Sequence, residues 1–97
     1  MKVVTICGSM RYANEMIKVS QMLETKLGYC VIQCVYDLDK AVLENEKEMN
    51  NIVMAHYKKI DISDAIYVLN INGYIGDSTR QEIEYAKTHG KEVIYHE

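Results

Sequence analysis

Proline, tryptophan and phenylalanine do not occur in this chain of 97 residues, so its eight tyrosines supply every aromatic side chain. Some of those rings are therefore expected half-buried, with the hydroxyl kept for a partner, a site or a subunit contact. An excess of one charge is also missing: eleven basic against fourteen acidic residues give −3, with neither sign in blocks. A chain without a basic stripe is not built for a nucleic-acid polymer. No apolar run approaches membrane-spanning length. The apolar opening Val3-Val4-Thr5-Ile6-Cys7 is cut off by Gly8-Ser9-Met10-Arg11, too soon for a signal peptide. The expectation is a soluble, cytoplasmic protein.

Cysteine is scarce as well. Cys7, Cys30 and Cys34 are an odd number with no CxxC pair, and they read as reduced thiols acting as small hydrophobes. His56, His89 and His96 stand at no ligand spacing to these thiols, so no metal site is expected. GxGxxG is absent, and no Gly-Lys-Ser/Thr follows the first turn, which excludes the dinucleotide fingerprint and the Walker A loop. Cys7 and Arg11 are also too close together for the five-residue loop that seats a phosphate over a phosphatase thiolate.

What is there is a regular alternation of strand and helix, with no repeat, linker or low-complexity segment, and its length sets one domain over residues 1–97. Lys2 to Cys7 reads as a strand apolar on both faces, as a central parallel strand should be. After the Gly8-Ser9 turn, Arg11 to Leu27 reads as a helix with an inward face of Ala13, Met16, Ile17, Ser20, Leu23 and Leu27, stopped by Gly28. Cys30 to Val35 is a second strand. Lys40 to Lys59 reads as one helix, capped by Asp37 or Asp39, with an apolar face at Met49, Ile52, Val53, His56 and Ile60. Ala65 to Asn70 is a third strand, Asn70 to Asp77 a glycine-rich loop, Ser78 to His89 the last helix closed by Gly90, and Val93 to Tyr95 a fourth strand. Such alternation gives a three-layer, doubly wound sheet. Right-handed crossovers favour a flavodoxin-like order of 2-1-3-4, with the switch point between strands one and three.

Ligands bind such sheets at the carboxyl ends of the strands. Two loops leave there. Gly8-Ser9-Met10-Arg11 combines close backbone approach, free helix N-terminal N–H groups and a guanidinium fork for phosphate or carboxylate; the plainer reading is a turn glycine with a serine cap. The second loop carries Asn70, Gly73, Gly76, Ser78 and Thr79 and ends on Glu82. Thr79 with Glu82, or Ser78 with Gln81, forms a capping box. Otherwise Glu82 points from the first turn into the site as nucleophile or base. His56 reads as a satisfied core histidine on its helix face or as a proton donor.

Four segments resemble the nucleoside 2-deoxyribosyltransferase-like superfamily, which includes the deoxynucleoside 5′-monophosphate N-glycosidases. They are Cys7-Gly8-Ser9-Met10-Arg11, Ile60-Asp61-Ile62-Ser63-Asp64-Ala65, Gly73-Tyr74-Ile75-Gly76-Asp77-Ser78-Thr79-Arg80-Gln81-Glu82-Ile83-Glu84-Tyr85-Ala86, and Gly90-Lys91-Glu92-Val93. The likeness covers nearly the whole chain, is most specific in its final third, and is nearest to a small branch whose function is not established. It implies cleavage or transfer at the N-glycosidic bond of a nucleoside or nucleotide, without a cofactor, by a homo-oligomer whose subunits complete one another's pockets. Glu82 matches the glutamate that attacks C1′ in active relatives. Ser9 and Arg11 match the turn against the sugar and any 5′-phosphate, and Ser78 or Thr79 adds a phosphate contact. Two positions depart from the pattern. Thr5 stands where active relatives carry a tyrosine in strand one, and His56, or Asp61 in a shifted register, stands where they carry an aspartate that handles the leaving base. The resemblance therefore leaves open a second reading, a nucleotide or nucleotide-sugar binder without turnover that acts as a sensor or sequestering protein.

Overall fold

The computed structural model describes all residues from Met1 to Glu97. Four parallel strands, β1 (Val3–Cys7), β2 (Cys30–Ile32), β3 (Ala65–Val68) and β4 (Glu92–Tyr95), form one sheet in the order β2-β1-β3-β4. This is the flavodoxin-like order expected. The two central strands are buried along almost their whole length and the two edge strands only partly. That difference is why the centre of the sheet reads as unbroken apolar runs while the edges do not. Register pairs Thr5 with Ile66 and Cys7 with Val68, so the carboxyl ends of β1 and β3 are level.

Helix α1 (Ala13–Leu27) covers one face of the sheet and packs Met16 and Leu23 on Val4, Ile6, Ala65, Tyr67 and Leu69. Helices α3 (Glu46–Asp61) and α4 (Asp77–Thr88) cover the other, with Ile60, Ile83 and Ala86 on Cys7, Ile66 and Val68. Side chains alternate between faces along a strand, so Thr5 and Cys7 both point toward α3 and α4. Gly28 closes α1 in the left-handed conformation, φ 68°, where a side chain would be strained. No helix is long and apolar enough to cross a membrane.

Several element limits differ from the sequence reading. Residues 40–59 do not form one helix: α2 (Lys40–Leu43) ends, Asn45 takes an extended conformation, and its side chain accepts a hydrogen bond from Glu48 N at 2.9 Å to start α3. Asparagine competes for the backbone in this way, which favours caps over helix interiors. Asp39 occupies the N-cap of α2 without a side-chain cap bond. Ile17 and Leu27, expected on the inward face of α1, and Val53, expected on the apolar face of the helix that is α3, are instead exposed. Of the tyrosines, Tyr67 is buried, Tyr12, Tyr29, Tyr36, Tyr57 and Tyr85 are half-buried, and Tyr74 and Tyr95 are exposed.

Candidate functional site

Beyond Cys7 the chain turns at Gly8, and Ser9 Oγ accepts from Arg11 N at 3.3 Å to open a short 3-10 turn, Met10–Tyr12. Space at position 8 is tight because the neighbouring strand exit is close. A β-carbon there would lie 3.3 Å from Leu69 Cβ and 3.4 Å from Met16 Sδ. Leu69 N donates to Cys7 O at 2.9 Å, so the two loops start from one point. The second loop runs through a 3-10 turn, Ile71–Gly73, and returns to Gly76 at the N-cap of α4.

Between these turns and the segment from Cys34 to α3 lies a cavity of about 550 Å³, within the usual range for small-molecule sites. Gly8, Ser9, Met10, Gly76, Ser78 and Thr79 line it, as do Glu82 and His56. Leu38, Leu43, Met49, Ile52 and Val53 supply an apolar wall. The structure thus brings together eight of the eleven side chains or glycines that the sequence singles out, counting those eight against Arg11, Asn70 and Gly73, which are not in the lining. Arg11 is exposed and its guanidinium stacks 4.2 Å from the Tyr74 ring centre. Asn70 is tied to the chain terminus, donating to Glu97 O at 3.3 Å and accepting from Glu97 N at 2.8 Å. Gly73 is exposed at φ 76°, where it serves the turn.

Neither capping box forms. Helix α4 begins at Asp77 with Gly76 as N-cap and no side-chain cap bond. Glu82 therefore sits a turn deeper than the capping position, in the second turn of the helix, and Thr79 is buried in the first. Because glycine cannot cap, the leading N–H groups of α4 have no side-chain acceptor, and the residues bearing them line the cavity. Such a terminus favours an anionic group.

At the base of the cavity, His56 Nε2 stands 3.3 Å from Glu82 Oε1 and 3.4 Å from Cys7 Sγ. The His56 and Glu82 side chains are only 13% and 17% exposed, and Cys7 is buried completely. Burial alone would lower the His56 pKa, but the Cys34 thiol and the Glu82 carboxylate nearby outweigh it and raise the value to about 9. His56 is therefore charged at neutral pH and forms a partly buried ion pair with Glu82. Burial, reinforced by the charge of Glu82 and by Cys34, pushes the Cys7 thiol well up. Tyr57 also lines the cavity, and its hydroxyl is raised by burial and then by Glu82.

Thr5 takes no part in the cavity. Its Oγ1 lies 2.7 Å from Ser63 Oγ and donates to Lys59 O at 3.0 Å, while Ser63 Oγ donates to the same carbonyl at 2.7 Å. Asp61 is the last residue of α3 and lies outside the cavity lining, accepting from Tyr85 Oη and, through its carbonyl, from Lys91 Nζ. Of the two residues considered for the base-handling place, only His56 reaches the site. Sequence reasoning placed Cys7 in the core, where it lies, but gave no sign of its contact with His56 or of the apolar wall from α2 and α3. The available signal for Cys7 was its place as the last residue of a central strand, at the end where sites form.

No protein-family model matches the chain, and comparisons with curated proteins and with solved structures give no match either.

Proposed function

We propose that the cavity binds a nucleoside or nucleotide and that Glu82 cleaves its N-glycosidic bond, by hydrolysis or by deoxyribosyl transfer. The observation that supports this reading is the His56–Glu82 pair, 3.3 Å apart at a cavity of about 550 Å³, with His56 raised to about 9; in the proposal Glu82 is the nucleophile and His56 the proton donor. In the first step a Glu82 oxygen bonds to C1′ and the C1′–N bond breaks. The electron pair goes to the base nitrogen, which takes the Nε2 proton of His56. In the second step water attacks C1′, the Glu82–C1′ bond breaks, and the water proton returns to His56. Transfer replaces water with a second base. This is the retaining two-carboxylate logic of glycosidases with a histidine in the acid's place.

The apolar wall suits the base and sugar faces, and the open N–H groups at the start of α4 suit a 5′-phosphate. Val35, Leu43 and Val53 line the cavity and are exposed, so a second copy of the chain closing this rim is part of the proposal, checked by light scattering.

The test is incubation of the pure protein, in a chelating buffer, with a panel of nucleosides and 5′-monophosphates, followed by chromatography for free base. Base release that disappears in Glu82→Gln supports the proposal. Absence of release from every panel member, with thermal stabilisation by nucleotides retained, would leave a binding protein instead.

A further inference from the structure

Three donor atoms of different chemistry converge at the base of the cavity: Cys7 Sγ from the end of β1, His56 Nε2 from α3 and a Glu82 carboxylate oxygen from α4, all within 4.8 Å of one another. We infer that this trio is a binding site for a thiolate-tolerant divalent cation, zinc being the ion it fits best.

Three features carry the inference. The first is the sharing of one nitrogen. Nε2 faces both the sulfur and the carboxylate, yet it bears at most one hydrogen, which cannot point along both lines. A cation between the three atoms takes a lone pair from each. A relay of the cysteine–histidine–acid kind would instead place the carboxylate on the other ring nitrogen.

The second is spacing. Zinc bonds of about 2.3 Å to sulfur, 2.0–2.1 Å to nitrogen and 2.0–2.2 Å to carboxylate, set at tetrahedral angles, hold sulfur and nitrogen about 3.5–3.6 Å apart and nitrogen and oxygen about 3.3–3.5 Å apart. The corresponding separations are 3.4 Å, slightly short, and 3.3 Å, and the sulfur and the carboxylate oxygen lie within 4.8 Å of each other.

The third is the donor set and its surroundings. Thiolate, imidazole and one carboxylate select zinc over magnesium or calcium, which take oxygen ligands. Three protein ligands leave one coordination position, and two of the three, His56 and Glu82, line the cavity. Binding displaces the thiol proton of Cys7 and any Nε2 proton of His56 to solvent.

The metal site does not depend on the proposed function, although both use Glu82. If both hold, zinc ties up the nucleophile and the proton donor together, and a bound cation and glycosyl chemistry exclude each other.

The experiment is titration of chelator-stripped protein with cobalt(II), read by absorption. Four-coordinate cobalt bound to a thiolate gives a near-ultraviolet charge-transfer band and intense visible bands. These are expected at one equivalent, and zinc should bleach them. Cys7→Ser should lose the charge-transfer band, His56→Gln and Glu82→Gln should each weaken binding at least about tenfold, and Cys30→Ser should leave the titration unchanged. Absence of the bands in the unmodified protein, or a charge-transfer band that persists in Cys7→Ser, overturns the site. Should Cys7→Ser not fold, His56→Gln decides, since full-strength binding without that ligand is equally incompatible. Base release without cobalt bands would overturn the metal site alone, whereas cobalt bands without base release would overturn the glycosidase alone.

Discussion

His56 and Glu82 face each other at 3.3 Å from two different helices, and each is largely withdrawn from water. The pairing fixes the direction of the carboxylate, and under the proposed function it holds the His56 proton next to where a leaving base would sit. Replacing Glu82 with glutamine keeps the shape and a hydrogen-bonding oxygen but removes the nucleophile. Glu82→Gln should therefore cut base release by at least about a thousandfold. Nucleotide-induced thermal stabilisation should persist within a few degrees. Parallel loss of both, with an altered circular dichroism spectrum, would show that the carboxylate holds the fold and not the chemistry.

The same pair sets a pH dependence of rate. As the proton donor, His56 acts in its charged form, and its value of about 9 places that form across the neutral range. In chelating buffer, kcat/KM should hold through neutral pH and fall as pH rises past about 9. His56→Gln should be slower by about a hundredfold and should lose that alkaline limb. A limb unchanged in the variant assigns the proton to another group.

Stability should follow the same proton. A histidine raised from 6.5 to about 9 on folding is charged more readily in the native state than in the unfolded chain. Its contribution is fully present below pH 6.5 and is lost as pH rises toward about 9, amounting at most to about 3 kcal/mol. Urea midpoints measured across that window should fall faster for the unmodified protein than for His56→Gln. The difference between the two curves isolates His56 from the buried Cys7 thiol, which titrates in the same alkaline direction.

The sheet order was legible in the sequence because alternation and handedness leave few topologies for four strands. The convergence of the Gly8 and Gly76 turns followed from that order, whereas the sequence left Glu82 open between a capping box and the site, and the start of α4 at Asp77 decides against the cap. Three things were not legible. Asn45 looks like one polar residue in a solvated helix face, and only its extended backbone and bond to Glu48 N reveal the break between α2 and α3. Arg11 sits in a turn where its long side chain has two destinations, and the ring of Tyr74, distant in sequence, decides between them. Cys7 and His56 are far apart in the chain, so no local spacing signals their contact. Each miss is a tertiary choice among locally equivalent options.

Thr5 tests whether the strand-one position at which the sequence departs from the pattern it resembles matters to the proposed chemistry. Its hydroxyl is buried in a triangle with Ser63 Oγ and Lys59 O that ties β1 to the end of α3. Thr5→Val keeps the volume and removes the hydroxyl, so about 1–2 kcal/mol of stability should be lost in urea unfolding. Base release per folded molecule should stay within twofold or so of the unmodified protein. A large fall in rate with little change in stability would place Thr5 in the site.

Tyr36 offers the opposite sign. Its ring packs against the α1-side core, and burial, with Cys34 nearby, pushes its hydroxyl up to about 12. The oxygen is buried and has no hydrogen-bond partner. A hydroxyl in that position has lost its water without gaining a replacement, which costs on the order of 1–3 kcal/mol. Tyr36→Phe removes the oxygen and preserves the ring, so the variant should unfold at a higher urea midpoint, gaining on the order of 1 kcal/mol. The slope of the transition should not change, because the surface exposed on unfolding is nearly the same. A loss of stability instead would mean that the hydroxyl finds a partner in solution, and the ultraviolet titration of Tyr36 would then move back toward the ordinary tyrosine range near 10.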